Sequence, residues 1–135
     1  TSQILVNIYM NEFDHFVKRE LKVRYYIRYA DDLVIFDTDK KYLEGILPKI
    51  VWFLEFQLKL SLHPNKVSIC TLSSGIDFLG WVHFPNHRVL RTSTKKRMFK
   101  KLKNNSSKET FVSYLGILGH GNTFELREKI ELWPQ

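Results

Sequence analysis

Cysteine is nearly absent from this 135-residue chain, where Cys70 stands alone. One thiol excludes an internal disulfide and a cysteine-based zinc site. His63, His83 and His87 have no spacing that would build such a site from imidazoles. No apolar run approaches the roughly 20 residues of a membrane span; the longest is Ile50-Val51-Trp52-Phe53-Leu54. The first residues lack the basic, apolar and small-residue order of a signal peptide, so a reducing, cytoplasmic setting without membrane contact is expected. There is no internal repeat or long low-complexity segment. With 44% hydrophobic and 26% charged residues, the composition is that of a folded protein, and the length predicts a single domain with a sizeable core.

Acid is also missing from one stretch. Between residues 88 and 103 there are eight basic side chains (Arg88, Arg91, Lys95, Lys96, Arg97, Lys100, Lys101, Lys103) and no carboxylate. The net charge of +7 is therefore a basic stripe attached to an almost neutral remainder. Such a stripe suits a polyanion partner. A solvated helix face explains it equally well.

Ile4, Leu5, Ile8, Tyr9, Phe13, Phe16 and Val17 are spaced like one helix face, predicting a helix to about Glu20 with Ser2 as its cap. Residues 23–29 alternate, with Val23, Tyr25, Ile27 and Tyr29 on one face and Arg24 and Arg28 on the other. Leu33-Val34-Ile35-Phe36 resumes the strand after Asp31-Asp32, which reads as a hairpin with two acids at its tip. Asp37-Thr38-Asp39 can cap a helix from about Lys40 to Leu60, with Pro48 as a kink or boundary. Val67 and Ile69 suggest a short strand that would bury Cys70. Residues 76–84 and 89–90 suggest a second hairpin turning at Pro85-Asn86-His87. From residue 92 the character becomes helical: Thr94 can cap a basic helix to about Lys103, and helices over about 108–118 and 122–131 follow a polar break at 104–107. Gly119-His120-Gly121 reads as the turn between those last two helices. A boundary near residue 92 divides a mixed unit from a helical one.

Tyr29-Ala30-Asp31-Asp32 is the strongest local signal. Adjacent carboxylates repel one another unless cations or protons compensate, and hard divalent ions bind such oxygens together with waters and phosphates. Two ions about 3.5–4 Å apart can activate an attacking hydroxyl and stabilise a leaving phosphate oxygen. Taken alone, a plain Asp-Asp turn explains the pair as well.

The stretch from Tyr26 to Phe36 resembles the catalytic hairpin of reverse transcriptases of the bacterial and group II intron type. Three further segments match that family in order. Ser2-Gln3 with the segment from Val6 to Asp14 resembles the loop and helix before the hairpin. The segment from Leu60 to Lys66 resembles one bearing a phosphate-proximal lysine. Gly75-Ile76-Asp77-Phe78-Leu79-Gly80-Trp81 resembles the primer-grip hairpin. Ser-Gln where many relatives have Ser-Pro is similar to enzymes of diversity-generating retroelements, as are Glu12-Phe13-Asp14-His15-Phe16 and the segment from Gly75 to Gly80, although many of those enzymes carry Met where this chain has Ala30.

The resemblance implies an α+β fold: a palm-like antiparallel sheet with packed helices over residues 1–91, and the start of a helical thumb over 92–135. It implies an RNA-directed DNA polymerase, with two magnesium ions (manganese as an alternative) held at Asp31 and Asp32. Ser2, Gln3 and Ala30 would lie at the incoming nucleotide and primer end, and Lys66 at the triphosphate. Phe78, Leu79 and Gly80 would hold the primer, though core packing and a bulge account for them too. The partners implied are an RNA template, a DNA primer, their hybrid and a deoxynucleoside triphosphate, with the basic stripe following the phosphates. The family also needs an upstream aspartate and fingers, so the chain is expected to be part of a longer enzyme and inactive by itself. A non-catalytic nucleic-acid-binding or assembly module is the alternative, and self-association through surface left uncovered is a third expectation.

Overall fold

The computed structural model describes residues 2–104 and 107–132, which divide between residues 69 and 70 into two compact units. The fold is α+β, with two small antiparallel sheets and six α-helices among the described residues. No helix among them is long and apolar enough to cross a membrane.

The first unit opens with α1 (Ser2–Tyr9) and α2 (Asn11–His15), followed by a π-helical turn at Phe16–Glu20. The single helix expected here is interrupted at Met10, whose ψ is −1°. It ends in a widened turn in which the Leu21 N–H donates to the Phe16 carbonyl at 3.0 Å, the i→i−5 pattern of a π-turn. Ser2 is already inside α1, so it is not the cap. The apolar spacing holds only in the second half: Phe13, Phe16 and Val17 are buried, whereas Ile4, Leu5 and Ile8 are exposed.

Strands β1 (Tyr25–Tyr29) and β2 (Asp32–Phe36) pair antiparallel, with Tyr29 opposite Asp32 and Ile27 opposite Val34. Residues directly opposite share a face. The face bearing Tyr25, Ile27 and Tyr29 is the exposed one. Tyr26, Leu33 and Ile35, from the other face, pack on the core. Val23 is buried, but it precedes the strand.

Helix α3 (Lys40–Phe56) begins at Asp39, whose carboxylate accepts from the Lys41 N–H at 2.8 Å. It runs through Pro48 as one element, and the exposed proline stands off the buried stripe of Ile46, Ile50 and Leu54. Phe53 stacks on Phe16 with ring centroids 4.2 Å apart, closing the first core. Residues 67–70 form no strand. No described strand offers them a ladder, 3₁₀ turns flank them at Pro64–Lys66 and Leu72–Ser74, and Cys70 is exposed.

The second unit is a meander, β3 (Ile76–Phe78), β4 (Trp81–His83) and β5 (Arg88–Leu90), followed by α4 (Thr92–Asn104), α5 (Lys108–Leu118) and α6 (Phe124–Glu131). Three strands form where one hairpin was expected, because Leu79-Gly80 makes an additional tight turn between Phe78 and Trp81. Helix α4 starts at Thr92, before the expected cap Thr94, and Ser107 caps α5 by accepting from the Thr110 N–H. Asn105 and Ser106, in the expected polar break, lie outside the described residues.

Trp81 and Leu90 of the meander pack with Met98, Leu102, Leu118 and Ile130 of the helices. That shared core joins the meander and the three helices in the second compact unit. The turn after α5 seats closely on it: a Cβ at Gly121 would fall 2.2 Å from Trp81 Cζ3 and 3.0 Å from the Arg88 carbonyl. Gly121→Ala is therefore expected to destabilise the second unit by about 1–3 kcal/mol through overpacking. Chemical-denaturation midpoints check this, and an unchanged midpoint would contradict the packing.

Candidate active site

The register that sets Tyr29 against Asp32 leaves Ala30 and Asp31 as a two-residue turn, and both aspartates are exposed. Ala30 has φ 52°, a left-handed conformation that glycine normally supplies in such turns. An alanine held there costs about 1–2 kcal/mol, so its surroundings must impose the shape.

Arg28 is the side chain that reaches this turn. Its Nε donates to Asp14 Oδ1 at 2.8 Å and its Nη2 to Asp14 Oδ2 at 2.6 Å, a bidentate pair. Its Nη1 donates to Asn7 Oδ1 at 3.0 Å and to the Ala30 carbonyl at 2.8 Å. The Tyr26 hydroxyl also donates to Asp14 Oδ1, at 2.7 Å. The Arg28 side chain is only 9% exposed, so its charge is largely withdrawn from water and nearly every N–H is matched.

The Arg28 hydrogen bonds hold the Asp14 carboxyl below its ordinary range, and the Tyr26 hydroxyl pulls the same way. Burial first, then the bond to Asp14, pushes the Tyr26 phenol well above its usual value. Asp14 raises Arg28 in turn.

Gln3, Asn7 and Asp14 recur at intervals of four and seven on one stripe of the helical segment. Gln3 Nε2 lies 3.5 Å from the Tyr29 hydroxyl, at the outer limit of a hydrogen bond. The start of α1 is thus beside the hairpin tip, which brings the expected site residue Gln3 near the Tyr-Ala-Asp-Asp segment. Ser2, next to it, is exposed. Sequence reasoning missed Asn7, Asp14 and Arg28 as a set, although the polar stripe opposite Ile4, Leu5 and Ile8 carried the signal.

Asp31 and Asp32 have the donor chemistry for a magnesium ion that keeps waters and takes phosphate oxygens. Among the described residues neither pairs with a protein cation, and no cluster of three His, Cys, Asp or Glu side chains completes a closed metal cage. The residues therefore fit an open site.

A family model for reverse transcriptase (RNA-dependent DNA polymerase) matches residues 1–83, more than half of the chain. The chain belongs to the reverse transcriptase family. No curated protein matches it significantly. For a reverse transcriptase, the remaining expected site residues are placed as follows. Lys66 is exposed at the end of a 3₁₀ turn in the first unit. In the second unit, Leu79 (φ 53°) and Gly80 (φ 81°) form a turn with both central residues left-handed, as in type I′ hairpins. Leu79 is exposed and Gly80 is a turn residue, which removes the alternatives of core packing for the one and a bulge for the other. Phe78 is half-buried.

The basic stripe divides. Arg88 lies over the Trp81 ring, its Cζ 5.0 Å from the centroid, and donates to the His120 carbonyl. Arg91 pairs with Asp77 at 2.5 Å. On α4, Met98 and Leu102 are buried and Lys95 half-buried, while Lys96, Arg97, Lys100, Lys101 and Lys103 are exposed. None of these has an acidic partner among the described residues. Two arginines brace the fold, and the α4 cations other than Lys95 face solvent. His120 sits exposed in the α5–α6 turn.

Because the folded Asp14 carboxyl is lowered from 3.8, its ion pair contributes stability that is present above about pH 4. That contribution is lost as pH falls through the lowered folded value. Asp14→Asn is expected to be less stable than the wild type at pH 6, with the gap narrowing toward pH 2. Denaturant midpoints across that range test it, and a gap independent of pH would contradict the assignment.

Proposed function

We propose that this reverse transcriptase chain carries the catalytic hairpin of an RNA-directed DNA polymerase. Residues 1–91 then belong to the palm and 92–135 to the start of the thumb. One observation carries the reading: in a chain of this family, a tight turn presents Asp31 and Asp32 to solvent with no cation among the described residues engaging them.

In that reading a primer 3′ hydroxyl attacks the α-phosphate of a deoxynucleoside triphosphate, and pyrophosphate leaves. Magnesium, when bound, supplies hydroxyl activation and neutralisation of the leaving oxygen. The chain's own residues bind and orient. Asp31 and Asp32 provide the metal-binding oxygens. Ala30 presents a small side chain where the primer end approaches, and Ser2 and Gln3 face the nucleotide. Lys66 supplies positive charge, or a proton, to the triphosphate. The exposed turn at Leu79-Gly80, with Phe78 behind it, positions the primer strand. Charge stabilisation and positioning are what phosphoryl transfer mainly requires of a protein.

The exposed α4 cations suit the backbone of a template–primer hybrid, read through phosphates and shape instead of base edges. The Ser2-Gln3 pair and the Gly75-to-Gly80 segment favour the diversity-generating subgroup. A non-catalytic binding module would use the same α4 face without the hairpin, and the two readings separate experimentally.

In the complete polypeptide carrying this sequence, Asp31→Asn is expected to reduce magnesium-dependent primer extension by at least about a hundredfold, the scale for removing a key charge-stabilising group, with hybrid affinity nearly unchanged. Replacing Lys96, Arg97, Lys100 and Lys101 by Ala is expected to flatten the dependence of log affinity on log salt by up to about 0.9 per lost phosphate contact. Extension by Asp31→Asn at the wild-type rate would overturn the role of Asp31. Hybrid binding without any extension by the wild type would favour the binding module.

A further inference from the structure

We propose that Arg28 is the positioning residue of the hairpin tip, a single guanidinium that locks the Ala30–Asp31 peptide and references it to α1. What the tip does rests on the polymerase reading; that Arg28 sets its shape rests on geometry alone.

The Ala30 carbonyl belongs to the peptide from which Asp31 departs, so the 2.8 Å bond from Arg28 Nη1 fixes the plane that aims the Asp31 side chain. The same nitrogen reaches Asn7 on α1, and the other two guanidinium nitrogens are clamped by Asp14 beyond it on α2. Four of the five guanidinium N–H groups are therefore committed, in one plane, to three separate segments. Arg28 lies on the packed face of β1, opposite Leu33, so it works from behind the tip and leaves Asp31 and Asp32 clear. Asn7 is one helical turn from Gln3, which stands beside Tyr29. A shift of the guanidinium would move the tip relative to the start of α1. Ala30 at φ 52° is the segment least able to hold its shape unaided.

Lysine cannot substitute. Its ammonium has three N–H groups on one atom and no planar fork, so it cannot grip Asp14 bidentately while reaching Asn7 and Ala30. Arg28→Lys thus keeps the charge and removes the geometry.

The test has two readouts, with Ile50→Val as a core variant that lowers stability without touching the network. In amide nuclear magnetic resonance of the chain, Arg28→Lys is expected to shift or exchange-broaden residues 30–32, and Ile50→Val to leave them in place. In the complete polypeptide, Arg28→Lys is expected to lower kcat for primer extension by about 30- to 100-fold, with KM for the nucleotide changed less than about threefold, the signature of misaligned groups. Amides at 30–32 unchanged by Arg28→Lys would overturn the proposal whatever the activity. Unchanged kcat in an active enzyme would overturn it equally. Shifted amides in a polypeptide whose wild type shows no magnesium-dependent extension would support the positioning role and overturn the polymerase reading instead.

Discussion

The first unit depends on the ion pair between Arg28 and Asp14, at 2.6 Å with the arginine side chain 9% exposed. A guanidinium so far from water is costly unless its N–H groups are matched, and removing one partner of such a pair strands the other. Meeting that demand fixes several things together. Asp14 must face β1, so α2 is held against the hairpin. Asn7 must face it as well, so α1 presents its polar stripe inward and leaves Ile4, Leu5 and Ile8 exposed. The Ala30 carbonyl is drawn back toward the guanidinium, and the turn takes a shape that alanine does not choose. Behind the exposed tip carboxylates, the polar groups of Tyr26 and Arg28 are matched inside the protein.

The second unit is organised by packing instead of charge. Trp81 takes Gly121 against its ring edge and Arg88 over its face, so the α5–α6 turn and the meander share one core with α4. The division of the basic stripe follows. Arginines, with planar groups that stack and fork, are used at Arg88 and Arg91 to brace the meander. On α4, Lys96, Arg97, Lys100, Lys101 and Lys103 keep their charge in water, while Lys95, on the side of Met98 and Leu102, is half-buried. The concentrated positive charge of α4 is of the kind that suits a polyanion.

Much of this was legible in the sequence where local rules dominate. The hairpin, the Asp39 cap, and the helices over 108–118 and 124–131 follow from alternation, cap chemistry and helical spacing. The failures have tertiary causes. Apolar spacing predicted which side of α1 would be buried, but the side that meets the half-buried Arg28 is the polar one. Alternation identified β1 but not its packed face, because Tyr26 and Arg28 satisfy their polar ends against Asp14 and so can go inward. Val67 and Ile69 alternate like a strand and find none to pair with. Core packing was the competing explanation for Leu79, and a left-handed turn lifts that residue into solvent instead. At the site, Asp31 and Asp32 were visible as a motif, whereas Asn7, Asp14 and Arg28 act across 21 residues of chain and become a set only in three dimensions.

If one guanidinium organises the hairpin, Asp14 and Arg28 must act as a unit, and a double-mutant cycle in folding stability measures that directly. Asp14→Asn, Arg28→Gln and the double variant are compared at neutral pH. The double variant is expected to lose little more than the worse single one, giving a coupling of at least about 1 kcal/mol. Losses that add within about 0.3 kcal/mol would contradict it.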